Sequence, residues 1–278
     1  MGFRILEQGS NERIAQLARE FPLVASLIDR KPFVISAYPA ALGLSGVSTY
    51  VDTYMHATTF VRSCRLASQR GLPVVFVAQP IVGVEFLLQL VREGFEIPRD
   101  IFWVSGGYYL PVSLELFAKE LMNRADCELE VIHSYGAAEV GHTCFAAISR
   151  SASGQPMYKK VSDDVKAKID EFSSELTLSK NGISLATRDI ATLQDGFWTI
   201  SNSPSRLAAS VKHMLESFRN DEWSRYTGRT NWSVGGQLVL QLRMGISVAS
   251  DNERQYFTFW DQFNGGPSFK PKWGSEAG

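Results

Sequence analysis

The chain has 278 residues, with 28 Lys and Arg against 29 Asp and Glu, a formal net charge of −1, and an apolar fraction of 45%. That length suffices for one large or two small domains with a proper core. The balanced, unclustered charge argues against a nucleic-acid or anionic-membrane surface. Three scattered cysteines, Cys64, Cys127 and Cys144, lack metal-ligand spacing and read as reduced thiols of a cytoplasmic protein. No segment approaches the roughly 20 apolar residues of a spanning helix. The start, MGFRILEQGSNER, has no apolar core of a signal peptide.

Asn11 to Leu27 predicts one amphipathic helix, because Ile14, Leu17, Ala18, Phe21 and Val24 recur at helical spacing. Phe33 to Ser36 predicts a short buried strand. Ser45, in the loop Ala37 to Val47, misses the G-x-S-x-G pattern of a nucleophile elbow and reads as a structural turn. Thr49 to Gln69 predicts a long helix, Val74 to Ala78 a strand, and Ile81 to Glu93 a helix closed by Gly94. Ile101 to Val104 then predicts a strand ending at Gly106-Gly107, followed by a helix from Val112 to Met122. A second β-rich run, Leu129 to His133, delivers the loop Ser134 to Glu139. Two parallel strands joined by a helix place both glycine-bearing loops at one edge of a sheet, where open α/β folds bind ligands. Glycine there lets a flat or anionic group reach the backbone.

An apolar strand follows Glu139, and Ser149 to Gln155 forms a small polar loop. Val161 to Phe172 has mixed spacing and receives no assignment. Lys180-Asn181-Gly182 is the strongest turn signal in the chain and predicts a hairpin between Ser174–Ser179 and Gly182–Thr187. The fold class is therefore α/β: βαβ units with a mostly parallel sheet in residues 1–148, then a smaller β-rich, distorted-barrel subdomain in residues 149–278.

The blocks GGYYLP and SYGAAE, in this order and spacing, resemble the adenylate-forming superfamily of acyl-CoA and aryl-CoA ligases, luciferases and peptide-synthetase adenylation domains. In that family a GGxxLP-like turn contacts adenine, and a YGxTE loop stacks on the nucleotide and presents its Glu toward magnesium. The resemblance thus implies a nucleotide site at Gly106, Gly107, Tyr108, Tyr135 and Gly136, with Tyr135 the stacking ring and Glu139 the magnesium-side carboxylate. Ala138 stands where the family has a phosphate-contacting Thr. Asp195 to Asn202 resembles the DGWxxTGD segment, with Asn202 in place of the ribose-clamping Asp. Thr227 to Gly236 resembles the hinge segment, whose Arg contacts ribose and corresponds to Arg229. His133 and His142 flank the YGAAE block and are acid–base candidates; a satisfied structural histidine is the competing use of each. For Tyr135 the competing use is a core aromatic at a strand end. The aliphatic Ile81, Val82 and Val84, with Phe86, are candidates for an acyl pocket, with core packing as the rival.

The departures matter as much. No Ser/Thr/Gly-rich phosphate loop with a Lys is found; the nearest stretch, Gln8 to Asn11, is short and has no Lys. Without such a nest, pyrophosphate departure loses electrostatic support, usually the largest catalytic term. Lys270 and Lys272 stand in the wrong context for the family's lid Lys, and family members are roughly twice this length, being two domains. The resemblance therefore implies a shortened, diverged member that takes ATP or AMP with magnesium and a small, aromatic or aliphatic carboxylate. Acyl-adenylate formation is expected only if a partner chain supplies the missing N-terminal half; a homodimer is the other assembly expected. The alternatives are a non-catalytic homologue acting as a binding or assembly subunit, and a pocket redeployed for ATP-independent chemistry. A sheet face left bare at Phe33–Ser36 and Val74–Ala78 would call for cover by a second copy, a partner, or the N-terminal helix.

Overall fold

The parallel core is built outward from Phe33–Ser36. In the computed structural model, which describes residues 10–37, 49–53, 56–107, 110, 112–140 and 142–201, this run is strand β1 of a seven-stranded sheet ordered β2-β1-β3-β4-β5-β6-β7. The other members are β2 (Tyr50–Asp52), β3 (Val74–Ala78), β4 (Asp100–Ser105), β5 (Glu128–Ala137), β6 (His142–Ala147) and β7 (Lys159–Lys160). Strands β2 to β5 and β1 run parallel, and β6 and β7 are antiparallel additions. β7 lies beyond residue 148, yet it pairs with β6 and so belongs to the first sheet.

Helices α3 (Ala57–Gln69), α4 (Pro80–Arg92) and α5 (Val112–Asn123) are the crossovers between the parallel strands. Their apolar sides meet the strand residues Phe33, Ile35, Val74, Phe76, Ile101, Trp103, Leu129 and Val131 in one core. Register explains the selection: these residues stand in rows across the sheet and alternate with those of the opposite face. Phe76 stacks on Trp103 with centroids 5.7 Å apart, and Phe60 meets both Phe76 and Phe86 edge-on or tilted. Val82, Val84 and Phe86 are buried in this core.

Two helices differ from the sequence reading. The single helix expected over Asn11–Leu27 is two, α1 (Ser10–Glu20) and α2 (Pro22–Asp29). Pro22 has no N–H to continue α1; it takes the first position of α2, with Phe21 extended before it. The helix expected over Thr49–Gln69 begins only at Ala57. Before it, Tyr50–Asp52 pairs with Val34–Ser36, and the Thr53 amide and hydroxyl both donate to the Ser36 carbonyl, at 2.8 and 2.9 Å. A strand partner outweighs weak local helix propensity.

Phe21 and Val24, with Leu17 and Ile28 beside them, pack on the other sheet face against Ile132, Ala146, Val161 and Val104. The N-terminal helices therefore fold back over β4, β5 and β6. On β1 and β3, Val34 and Val77 of this face are also buried.

The second sheet is antiparallel and ordered β11-β10-β9-β8, from β8 (Lys166–Ile169), β9 (Glu175–Lys180), β10 (Ile183–Gln194) and β11 (Phe197–Ser201). β8 falls in the stretch that received no assignment. Asn181 and Gly182, at φ 51° and 81°, form the expected hairpin turn. Asp195 and Gly196 do the same between β10 and β11, at φ 52° and 79°. Positive φ at both central residues matches the twist of paired strands, which is why Asn-Gly and Asp-Gly serve here. Tyr158 and Trp198 exchange backbone hydrogen bonds of 2.8 Å and tie this sheet to the first.

Candidate functional site

Strand β5 is longer than its parallel neighbour. Its pairing with β4 ends at Ser105↔His133, and Ser134–Ala137 continue past the sheet edge, held by β6. The segment Ser134–Glu139, expected as a loop, is thus strand as far as Ala137, because β6 satisfies its backbone. A register shift between Tyr135 and Gly136 inserts an extra residue on the β6 side. The short 3₁₀ turn Ala138–Val140 then closes the β5–β6 hairpin, with Glu139 exposed on it.

This overhang lies against the glycine turn at the end of β4. A Cβ added at Gly106 would stand 3.6 Å from the Ser134 Cβ and carbonyl oxygen. Gly107, at φ +90°, is in the left-handed region that favours glycine. The two glycine-bearing segments therefore come together at the C-terminal edge of the parallel strands. Of the other expected site residues, Tyr108, Asn202 and Arg229 lie outside the described residues, as do Ser45, Lys270, Lys272 and the segment Thr227 to Gly236. The His142 backbone pairs with Ala137 at the hairpin end.

Tyr135 faces the second sheet. Its hydroxyl donates to Asp189 Oδ2 at 2.6 Å, and its ring meets Phe145 and Tyr158 at centroid distances of 6.0 and 6.2 Å. Asp189 is fully buried. It is aimed inward beside a bulge in β10, where Arg188 takes φ 62° and the pairing shifts between Ala186 and Ile190. Nothing in the local sequence pairs residue 135 with residue 189.

Below the glycine turn sits a buried polar cluster centred on Glu115, in the first turn of α5 and 8% exposed. Glu115 Oε2 accepts from Arg150 Nε at 2.8 Å and lies 3.2 Å from His133 Nε2. Its Oε1 is 3.0 Å from Lys119 Nζ, one helical turn on. Burial alone would raise the Glu115 carboxyl. The His133 hydrogen bond and charge, with Arg150 and Lys119, overcome this and hold it well below the usual carboxylate range. His133 is 4% exposed, and burial, reinforced by the Arg150 charge, pushes its imidazole down despite the Glu115 contact. With Arg150 and Lys119 already countering Glu115, His133 is the neutral ring at pH 7 and donates its Nε2–H to the carboxylate.

Ser105, the register partner of His133 on the same sheet face, is 3% exposed, and its hydroxyl has no hydrogen-bond partner among the described residues. A buried hydroxyl without a partner is unfavourable. At the end of a strand, next to Gly106, it marks where a ligand's polar atom would be welcome. Sequence reading singled out His133 but missed Ser105, Glu115, Arg150 and Asp189. Among the described residues no three His, Cys, Asp or Glu side chains gather as a metal site. Cys64, Cys127 and Cys144 are buried and form no disulfide, and burial raises the thiols of Cys64 and Cys127, which keeps them unreactive. Among the described residues no helix is long and apolar enough to cross a membrane.

No family model matches the chain, and no curated protein does. Among solved structures it is similar to the acyl-CoA synthetase (AMP-forming)/AMP-acid ligase II-like protein from Dyadobacter fermentans. That likeness has 13% identity and a TM-score of 0.42, over 73% of this chain and 62% of the other. It is also similar to the anthranilate CoA ligase AuaEII in complex with anthranoyl-AMP, at 15% identity and TM-score 0.41, over 66% and 43% of the two chains. A third is the luciferase-like enzyme from the Zophobas morio mealworm, at 13% and 0.41, over 64% and 51%. The chain spans about half the length of these structures, from 43% to 62%. In structure, then, the chain is similar to acyl-CoA synthetases, a CoA ligase and a luciferase-like enzyme.

Proposed function

We propose that the chain is an adenylate-forming-ligase-like protein that binds a nucleotide, a small carboxylate, or both, at the C-terminal edge of its parallel sheet. One observation carries the reading: Gly106 lies against the overhang of β5, and beside it is the Ser105 hydroxyl, which has no hydrogen-bond partner among the described residues. Gly106 and Gly107 would admit the ligand to the backbone, Tyr135 and Gly136 would border it, and Ser105 would donate to it. Tyr108, Asn202 and Arg229 carry the remaining nucleotide roles by resemblance. Magnesium would rest on Glu139 and on the nucleotide's own phosphates, with His142 as the candidate acid or base beside it. When bound, ATP supplies the adenylyl group that activates a carboxylate, and magnesium supplies charge for the departing pyrophosphate. With Ala138 in the Thr position and no Lys-bearing phosphate loop among these residues, activation would need a separate chain that supplies such a loop.

A second reading, a binding or assembly subunit without catalysis, is favoured by Tyr135. Its hydroxyl is held by Asp189 and its ring packs in the second core, a strut's role. The purified chain alone is expected to show no carboxylate-dependent exchange of pyrophosphate into ATP; exchange by that chain would overturn both the need for completion and the reading without catalysis.

The binding reading is tested with Ser105→Ala. Removing a buried hydroxyl that has no partner among the described residues should leave stability unchanged or raise it by up to about 1 kcal/mol. The same change should weaken AMP or anthranilate binding, read by calorimetry, by about 1 kcal/mol or roughly fivefold. Unchanged affinity for both probes would remove Ser105 and this edge from the site.

A further inference from the structure

The ends of the two glycine-bearing segments are tied together through one side chain. Arg150, just past β6, donates from one terminal nitrogen to the Leu110 carbonyl at 2.7 Å, and from the other to the Gly154 carbonyl at 2.7 Å. It donates from Nε to Glu115 Oε2, and Glu115 in turn holds His133 on β5, one residue before the overhang begins. Leu110 lies three residues beyond Gly107. Arg150 thus spans the glycine turn after β4, the first turn of α5 and the end of β5.

The small hairpin that carries Arg150 is itself seated on α5. Arg150 pairs with Pro156, and the Ser151 amide donates to the Gln155 carbonyl at 2.8 Å. Gly154 takes φ +83° at a place where a Cβ would be 2.9 Å from Val112 Cγ2. No other side chain type fits there without displacement. The planar guanidinium, with its fixed fork of donors, is suited to three acceptors at set angles, which a Lys ammonium on a flexible stem is not.

We propose that Arg150, seated on Glu115, is a positioning residue for the candidate site: it sets where the glycine turn lies relative to the overhanging end of β5. The inference rests on the reading that this edge binds a nucleotide or carboxylate, and it adds how the edge is regulated. The charged and titratable groups facing His133 are Glu115 and Lys119 from α5 and Arg150 from the segment after β6; β4 contributes only the neutral Ser105. Protonating His133 sets three cations around one carboxylate. Arg150 then loses its hold on Glu115, and with it the order of both segments.

The test uses the full chain, with Arg150→Met and Arg150→Lys. Hydrogen exchange by mass spectrometry reads the peptides carrying Gly106–Leu110 and Ser134–Ala137 against those of β1 and β3, and calorimetry reads AMP affinity from pH 5.5 to 8. Arg150→Met is expected to raise exchange in the two site peptides alone and to weaken AMP between about tenfold and a hundredfold. Arg150→Lys should recover part of both and serves if Arg150→Met does not fold. Wild-type affinity should fall as acidification reaches the lowered titration of the buried His133, and the Met variant should lose that dependence. Val24→Ala, on α2, should lower stability with no change in affinity or in the site peptides. Exchange that rises uniformly over all strands in the Arg150 variants, or an unchanged pH profile, overturns the proposal. A wild-type chain that binds no AMP, with site peptides still loosened selectively, removes the nucleotide reading and leaves the positioning role standing.

Discussion

Glu115→Ala should destabilise the fold by about 3–5 kcal/mol, the loss typical of breaking a buried ion pair from one side. Glu115 is the acceptor that Arg150, Lys119 and His133 share, so its removal takes the carboxylate away from the largely buried Arg150 guanidinium. Denaturant unfolding should show a lower midpoint at unchanged slope. Glu115→Gln should lose less, since the amide oxygen still accepts from Arg150. A loss below about 1 kcal/mol for the Ala variant, the size of a surface pair, would mean that the cluster is solvated.

The same cluster sets an acid limit. The His133 pKa is lowered by folding, so the unfolded chain takes up the proton first. Stability from this group is complete above about pH 6.5, the unfolded value, and is lost as pH falls through the folded one. The Glu115 pKa is also lowered; its contribution is complete above about pH 4.3 and is lost at lower pH. Both slopes have one sign, so stability should decline in two stages on acidification. In Glu115→Gln the lower stage should be absent.

The second large effect is expected of Gly83→Ala in α4. On an open helix face this change would gain about 1 kcal/mol from helix propensity. Here the new Cβ would stand 2.3 Å from Trp103 Cζ2 and 2.4 Å from Cε2. The indole cannot retreat easily: it is fully buried, stacked on Phe76, and donates from Nε1 to the Ala78 carbonyl at 3.3 Å. Overpacking of a rigid core typically costs about 1–3 kcal/mol, and a contact this short belongs at or beyond the upper end. The net expectation is a loss of about 2 kcal/mol or more, read from the unfolding midpoint. Combining it with Trp103→Phe, which frees the space, should recover much of that loss, as two residues in contact do in a double-mutant cycle.

Much of the fold was legible because its signals are local. Apolar β-branched runs marked β1, β3, β4 and β5, and Asn181-Gly182 marked a hairpin by the positive φ that its twist demands. The strand–glycine–helix–strand order placed both glycine segments at one edge, since a parallel pair joined by a helix permits nothing else. Elsewhere local preference was overruled or silent. Tyr50–Asp52 became a strand only because β1 offered an edge. Pro22 split a helix that periodicity alone would join. Asp195-Gly196, read as part of a ribose motif, is a hairpin turn between β10 and β11.

The polar site residues show the contrast most sharply. The Glu115–Arg150 contact spans 35 positions and the Tyr135–Asp189 contact 54. Charge complementarity at such separations is invisible along a chain, because any of 29 acidic residues could serve any cation. Burial makes the choice: once α5, β5 and the hairpin after β6 pack together, an unpaired charge among them is too unfavourable to remain. Residue type and order determined most of the strands, the turns and the edge that carries both glycine segments. The partners that hold that edge in shape were decided by tertiary packing, where desolvation makes one pairing far better than the rest.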